Sequence, residues 1–318
     1  MVYHRGRTGR PERDAIALPV SAAPAGHPLA PDVRRALARL TQALGAAPAA
    51  RGPLSDERFD AAHEAFERSG GQQEAVFSDL RNLAAGVRAG GRPARVLSVG
   101  PGKGMLDLPL IRSLAAAGVA ADYTAVDPNP VGCRHFRAGF RGLDPRSVRG
   151  VSLDVRQCGV DDLPPGAAFD LIHAVHSLYY VPDPAAPLDG LLGRLAPGGR
   201  LVLYLAPRGA LNALAEPFWR GDPGRPVWFS DRLAARLAEV PCAFESRRID
   251  ARLDVTAALD PADPRGRLVL DFLLHADAAG LSGPVRSAVG ACLKAMSSTD
   301  GGRLFAPHPV DRFVVSPA

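Results

Sequence analysis

The chain has 318 residues, 47% of them hydrophobic, which is enough for one large domain or for a domain with a smaller cap. Its formal net charge is +5, and the first 51 residues, with eight arginines against three acidic residues, carry all of that charge. The remaining body has no net charge and no apolar run of about 18 residues, which argues against a nucleic-acid-binding surface and against a transmembrane helix.

The four cysteines are far apart, form no CxxC pair and stand at no metal-ligand spacing to a histidine: Cys133, Cys158, Cys242 and Cys292. We expect reduced thiols, and no metal site is predicted. The N-terminal residues are charged with no long apolar segment after them, which is not the pattern of a secretory signal. The near absence of lysine is typical of a GC-rich genome, and we expect a bacterial, cytoplasmic protein.

Two regions precede the first predicted strand. Residues 1–53 are predicted to be a disordered basic extension that contains one short helix, over residues 31–44. Residues 54–318 are predicted to form the catalytic domain. Within it, Ser55 is expected to open a helical segment that reaches Val87 with a break at residues 69–71, so that residues 54–90 form an N-terminal helical cap.

Short apolar strands then alternate with helical segments over residues 95–207. Strands are expected at RVLSVG, DYTAVDP, FDLIHAV and RLVLYLAP, with a helix over GMLDLPLIRSLAAAG. This alternation predicts βαβ units and a mostly parallel α/β sheet. Ligands of such sheets lie outside the carboxyl ends of the strands, which makes residues 95–207 the predicted cofactor-binding core.

The pattern is looser over residues 208–318, which we predict to supply substrate-binding insertions and closing strands. A helix capped by Ser230 is expected over FSDRLAARLAEV, followed by a strand over RRIDARLDVTAAL. The segment LVLDFLLHADAAG predicts another helix, and DRFVVSPA predicts the closing strand.

The most informative motif is the glycine cluster after the first predicted strand, VLSVGPGKGM, with Gly100, Gly102 and Gly104. The dinucleotide motif GxGxxG would need glycine where Met105 stands, and a phosphate-binding P-loop would need a hydroxyl after Lys103. Glycines let the backbone pass close to a ligand. A GxGxG turn between the first strand and the first helix is typical of the S-adenosylmethionine loop of class I methyltransferases.

Three further features favour this interpretation. Asp127 ends the second predicted strand, where a carboxylate can accept both hydroxyls of a ribose. The acidic loop GVDDLPPG precedes the fourth strand, where adenine lies in this class. The turn LAPGG leads into the fifth strand, as it does in this class.

At this level of detail the chain resembles histamine N-methyltransferases over about residues 57–318. Serine, at Ser98, stands before the glycines, and Asp107-Leu108 follows in the helix. FDLIHAVHSLYYVPD is similar to the family's fourth strand and following loop, LVLDFLLH to a late helix, and RLFAPHPVDRFVVSPA to its C-terminal segment.

The resemblance implies a Rossmann-like class I fold, with a mostly parallel seven-stranded sheet, helices on both faces and a smaller substrate-binding region. It implies S-adenosylmethionine as cofactor, with S-adenosylhomocysteine as product. The residues that fall on the family's cofactor contacts are Gly100, Asp127, Val160, Asp161, Val175 and His176, beside Gly102 and Gly104 of the loop.

On the substrate side, the resemblance places Tyr179, Tyr180 and Phe272 on aromatic walls. The glutamate with which the family binds its amine falls at Gly71, and Gln73 and Glu74 stand close by as replacements. The family's glutamine after the fourth strand is His176. Its late asparagine is lost, with His308 nearby. Because these polar groups differ, we expect an acceptor other than histamine.

The expected reaction is methyl transfer to a small-molecule amine or azole nitrogen. His176 is either a base or a group that orients the substrate, and Tyr179 and Tyr180 can hold a cationic amine by their ring faces. The expected partner is a small-molecule or peptide substrate, with no nucleic acid and no membrane, and we expect a monomer, with a dimer as the alternative.

Two other functions are compatible with the sequence. The first is O-methylation of a phenol or of a carboxylate, such as a peptide C-terminus. A carboxylate substrate would require an arginine, and the candidates are Arg68, Arg208, Arg220 and Arg225. The second is a cofactor-binding subunit without catalysis.

Overall fold

A computed structural model describes residues 29–46, 54–87, 90–164, 166–178, 185–219 and 228–317. The helices are α1 (Pro31–Ala46), α2 (Asp56–Glu67), α3 (Gln72–Ala85), α4 (Asp107–Ala116), α5 (Pro130–Arg141), α6 (Ala185–Leu192), α7 (Ala210–Trp219), α8 (Ser230–Leu237), α9 (Pro264–Leu274) and α10 (Gly283–Met296). The strands are β1 (Ala94–Val99), β2 (Ala121–Val126), β3 (Val151–Arg156), β4 (Phe169–Val175), β5 (Leu195–Leu205), β6 (Cys242–Ile249), β7 (Arg252–Asp254), β8 (Ser298–Asp300), β9 (Arg303–Pro307) and β10 (Val310–Pro317).

The central sheet has seven strands in the order β3-β2-β1-β4-β5-β10-β6. The first five strands of this order run parallel, and β10 is antiparallel to both β5 and β6. The predicted Rossmann-like, mostly parallel seven-stranded fold is therefore confirmed. The strand order reverses between β1 and β4, and a crevice at the carboxyl ends of those two strands is where such sheets bind ligands.

Apolar side chains cover both faces of this sheet. On one face, α3, α4 and α5 pack on inward residues of the strands, among them Val96, Tyr123 and Val202. On the other face, α6 and α8 pack on residues such as Leu97, Ile172 and Leu203. The central strands β1, β4 and β5 are buried on both sides, and this explains why they appear in the sequence as nearly continuous apolar runs.

A second body of structure lies beside the sheet. Helices α1, α7, α9 and α10 share one apolar cluster with the three-stranded sheet β7-β9-β8. The short helix predicted in the N-terminal extension is α1, and it packs against α10 and α7 through buried Val33, Leu40 and Leu44. The predicted disorder of the extension falls mainly on residues 1–28, which lie outside the described residues.

Two local predictions differ from the structure. Ser230 is the first residue of α8 rather than its cap, because its hydroxyl donates to the buried carboxylate of Asp311 at 2.6 Å. RRIDARLDVTAAL holds the end of β6 and the separate strand β7, because the chain leaves the large sheet at Ile249 and pairs with β9 of the small one. None of the helices in the described ranges is both long enough and apolar enough to span a membrane.

Candidate active site

The loop from β1 to α4 is shaped by its glycines. Gly100 and Gly104 have φ of +69° and +74°, backbone angles that residues with a side chain rarely adopt. A Cβ on Gly100 would lie 2.4 Å from the Ser177 Cβ, and one on Gly104 would lie 2.4 Å from the Phe136 ring. A Cβ on Gly102 (φ +56°) would meet nothing within 4 Å. The loop is therefore held by close contacts at Gly100 and Gly104, and the space beside Gly102 is open.

The carboxylate of Asp127 fixes the same loop from the end of β2. Its Oδ2 accepts the N–H of Gly102 at 2.8 Å, and its Oδ1 accepts the N–H of Asn129 at 2.8 Å. The residue is only 7% exposed. Each oxygen retains capacity for a second hydrogen bond, so a ribose diol can be held by the carboxylate that orders the loop.

The remaining residues predicted to bind the cofactor lie on two other segments. Val175 is the last residue of β4, and Val160 and Asp161 belong to a short 3-10 helix, where Asp161 is exposed. Next to Gly100, the Ser177 hydroxyl is buried and has no hydrogen-bond partner in the described part of the chain. An open glycine turn, a buried carboxylate and an orphaned hydroxyl fit a polar nucleoside cofactor.

A buried polar network lies behind the loop. The Tyr123 hydroxyl donates to Asp107 Oδ1 at 2.7 Å and lies 2.7 Å from His173 Nε2. Burial and the neighbouring Asp107 raise the pKa of Tyr123 well above its usual value, and burial lowers the pKa of His173. His173 is thus satisfied inside β4, and Asp107 anchors the start of α4.

A second polar cluster begins at His176, the residue before Ser177. Its Nε2 lies 2.8 Å from Gln72 Oε1, and its backbone adopts φ +51°, which is uncommon for a residue with a side chain. Glu67 and His308 belong to the same cluster. The charge of Glu67 acts on the pKa of both His176 and His308, and Gln72 Nε2 donates to the His308 carbonyl at 2.9 Å. This polar cluster (Glu67, Gln72, His176 and His308) joins α2, α3 and the segments after β4 and β9.

The protonation states of the polar cluster follow from burial. His176 and His308 are each partly exposed, yet the surrounding protein is dense enough that burial lowers the pKa of each to about 4. Burial opposes ionisation of Glu67, but the interaction with His63, whose Nε2 lies 3.7 Å from Glu67 Oε1, outweighs burial and holds the pKa of Glu67 below its usual value. At neutral pH the cluster therefore carries one anion, Glu67, and two neutral imidazoles.

Aromatic rings form the wall beside this cluster. Phe272 on α9 packs against Phe66 with ring centroids 4.7 Å apart, and against His63 at 4.9 Å. Phe66 also meets the His308 ring edge-on at 5.0 Å. The sequence-predicted Phe272 and His308 are therefore joined through Phe66, which the sequence analysis did not single out.

Other predicted substrate residues lie elsewhere. Glu74 is exposed and Gln73 is half-buried on α3, and neither belongs to the polar cluster. Their neighbour Gln72 and the last residue of α2, Glu67, occupy that place instead. The i, i+4 pair of His63 and Glu67 at the end of a capped helix was the available signal for Glu67. The predicted Tyr179 and Tyr180 lie outside the described residues.

The arginines considered for a carboxylate substrate are engaged or outside the described residues. Arg68 is exposed and pairs with Glu64 at 2.7 Å, and Arg208 pairs with Glu216. Arg220 and Arg225 fall in the range 220–227, outside the described residues. Within the described ranges, no group of three or more His, Cys, Asp or Glu side chains is arranged to hold a metal ion.

Comparisons with known proteins bear on the family and the fold. A family model described as a methyltransferase domain matches residues 63–240, more than half of the chain. Histamine N-methyltransferase B of Xenopus laevis is 26% identical over 193 residues, which cover 56% of this chain and 64% of that protein. The chain thus spans slightly less than two thirds of that relative's length.

Two further relatives come from bacteria. A ubiquinone biosynthesis O-methyltransferase of Xylella fastidiosa (strain 9a5c) is 38% identical over 112 residues, covering 35% of this chain and 41% of that protein. A solved structure of a candidate methyltransferase from Bacillus halodurans C-125 superposes with a TM-score of 0.50 at 16% identity, over 76% of this chain and 99% of that one. The last similarity concerns the fold.

Proposed function

The chain belongs to the methyltransferase-domain family of S-adenosylmethionine-dependent enzymes, and from this premise we propose that it methylates a nitrogen of a small-molecule amine or azole other than histamine. The observation that carries the proposal is the polar cluster, in which one carboxylate and two neutral imidazoles meet beside aromatic rings. His176 is followed directly by Ser177, which contacts Gly100 of the cofactor loop. An acceptor held in the cluster is therefore next to the predicted cofactor.

The cluster suits a basic nitrogen compound. Glu67 remains ionised at neutral pH and supplies the negative charge that attracts a protonated amine or accepts an azole N–H. Neutral imidazoles can donate or accept hydrogen bonds without repelling a cation. Aromatic faces such as those of Phe66 and Phe272 add an attraction of about 0.5–2 kcal/mol for a cationic group.

The reaction is an in-line displacement in which the cofactor, when bound, supplies an electrophilic methyl group on its sulfonium. Asp127 and the glycine loop hold the cofactor, and the polar cluster holds the acceptor, so that the two reactants meet in a fixed geometry. A protonated amine first loses one proton to water, because the nitrogen attacks with its lone pair and must be neutral at that moment. Its surplus proton leaves to water after the carbon–nitrogen bond has formed and the carbon–sulfur bond has broken.

The low pKa of His176 bears on its role. A group with a pKa of about 4 removes protons weakly at neutral pH, whereas a neutral imidazole orients a substrate well. Of the two roles considered for His176, orientation of the acceptor is therefore the one we propose. Gln73, Glu74, Tyr179 and Tyr180 remain predictions as substrate residues, and Val160, Asp161 and Val175 as cofactor contacts.

O-methylation of a phenol is the second candidate. It is favoured by the similarity to the Xylella ubiquinone biosynthesis O-methyltransferase, which is 38% identical over 112 residues. A carboxylate substrate fits the described residues less well, since the Glu67 charge would repel it and Arg68 and Arg208 are already paired with acidic side chains.

An acceptor screen tests the proposal. The purified full chain is incubated with S-adenosylmethionine and with arylalkylamines, imidazoles, phenols and peptides with free C-terminal carboxylates. The expected result is a mass gain of about 14 Da, one CH2, on an amine or imidazole nitrogen. A gain confined to phenols or carboxylates would refute N-methylation, and no turnover of any acceptor despite cofactor binding would favour a non-catalytic subunit.

A further inference from the structure

Gln72, the first residue of α3, connects three separate parts of the molecule. It is only 4% exposed. Its Nε2 donates to the carbonyl oxygens of His308 at 2.9 Å and Pro309 at 3.2 Å, just before β10. Its Oε1 lies 2.8 Å from Nε2 of His176, just after β4. The sequence predicts its neighbours Gln73 and Glu74 as substrate residues, but not Gln72 itself.

The two carbonyl groups determine which way the amide points. A carbonyl oxygen can only accept a hydrogen bond, so the atom of Gln72 that faces two of them must be the NH2 group. The oxygen of the amide must then face His176. Because that oxygen also only accepts, His176 Nε2 must carry a hydrogen and donate it.

This arrangement determines the chemistry of the His176 ring. In a neutral imidazole with hydrogen on Nε2, the lone pair resides on Nδ1. Burial keeps the second proton off at neutral pH, since it lowers the pKa of His176 to about 4. The charged or titratable groups that face the ring are Glu67 and His63 from α2 and His308 from the segment before β10.

The backbone at His176 adds a reason for an external support. Its φ of +51° is strained for a residue with a side chain, and such strain persists only where surrounding contacts hold it. The His176 N–H donates to the Tyr204 carbonyl at 3.1 Å, and the hydrogen bond to Gln72 holds the side chain. His176 is thus held both at its backbone and at its side chain.

We propose that Gln72 is a positioning residue that selects the Nε2–H tautomer of His176 and fixes the orientation in which this ring meets the methyl acceptor. The effect on turnover rests on the proposed function. The tautomer itself is a property of the protein without any acceptor, so the two claims can fail separately.

The tautomer is measured by NMR on the full chain labelled with 15N-histidine, with S-adenosylhomocysteine added. Two-bond nitrogen–proton correlations distinguish the two neutral forms of a histidine ring, and the His176→Asn variant assigns the signals. We expect the Nε2–H form in the wild type. We expect Gln72→Leu to lose this pure form and Gln72→Glu to raise the pH at which the ring titrates, because a carboxylate then faces Nε2.

Turnover gives the second readout, with the acceptor found in the screen. Gln72→Leu is expected to lower kcat by about 10- to 100-fold through misplacement of the ring, with affinity for S-adenosylhomocysteine unchanged. Gln72→Glu is expected to shift the pH profile of kcat/KM, which a merely structural role would not do. Asn82→Leu, which alters an exposed amide on the same helix, controls for changes to α3.

The outcomes decide the proposal in each case. An Nδ1–H tautomer in the wild type, or a spectrum unchanged by Gln72→Leu, overturns it. If Gln72→Leu does not fold, as judged by loss of cofactor binding, the wild-type spectrum and the Gln72→Glu titration decide. If no acceptor is methylated, the proposed function fails while the NMR result still supports or refutes the tautomer.

Discussion

Replacing Glu67 by glutamine is the most direct test of the acceptor site. The substitution keeps the size of the side chain and removes the one negative charge of the polar cluster. A hydrogen bond to a charged group contributes about 1.5–3 kcal/mol, and the 23% exposure of Glu67 places the expected loss in the lower half of that range. A loss of about 1.5–2 kcal/mol corresponds to a rise in KM for a basic acceptor of about 10- to 30-fold.

The assay is steady-state kinetics with the acceptor from the screen, together with calorimetric titration of S-adenosylhomocysteine, whose affinity should not change. Glu64→Gln is the matched control, because Glu64 lies on the same helix with 57% of its side chain exposed and pairs only with Arg68 among the described residues. Equal KM values for the two variants would refute the role of Glu67. A large loss of cofactor affinity in Glu67→Gln would show that the residue acts on the cofactor loop instead.

Three further predictions concern the cofactor loop and the polar cluster. Asp127→Asn should weaken binding of S-adenosylhomocysteine at least about tenfold by calorimetry, because the new NH2 group faces one of two backbone N–H donors and one acceptor for the ribose is lost. Gly104→Ala should lower the free energy of unfolding by about 1–3 kcal/mol more than Gly118→Ala, measured by urea titration, because both positions have positive φ but only Gly104 faces a ring at 2.4 Å. The free energy of unfolding should fall as pH drops from 6.5 towards 4, by about 1.4 kcal/mol per pH unit for each of His176 and His308, because the unfolded chain binds protons that the folded rings refuse.

Each of these predictions has a contrary outcome. Asp122→Asn, on the exposed face of the same strand, is the control for Asp127, and equal effects would show that the loss is not local to the cofactor loop. Equal destabilisation by the two glycine variants would mean that Phe136 moves aside without cost. A free energy of unfolding that does not change between pH 6.5 and 4 would show that the two histidines are not held neutral by the fold.

The sequence by itself determined the fold and the cofactor loop, for local reasons. Strands β1, β2, β4 and β5 are short, mostly apolar runs separated by helical segments, and that periodicity results from backbone geometry alone. Strand β3 has exposed polar residues at alternate positions and is not predicted by the sequence. The glycine loop directly follows β1, and Asp127 directly follows β2. Because the carboxyl ends of parallel strands meet at one edge of the sheet, the sequence already placed these residues together. The resemblance also drew attention to His176, Phe272 and His308.

Only the tertiary structure showed which polar groups come together in the proposed acceptor site. The residues of the polar cluster come from distant parts of the chain: Glu67 ends α2, Gln72 begins α3 and His308 precedes β10. The linear sequence does not determine which residue at a helix end faces a distant loop. A difference of one residue turns a helical side chain by about 100°, which is why Gln72 is buried while Gln73 is half-buried and Glu74 is exposed. The low pKa of His176 likewise arises from burial among these elements. The cofactor loop follows from local sequence, whereas the acceptor site follows from long-range packing.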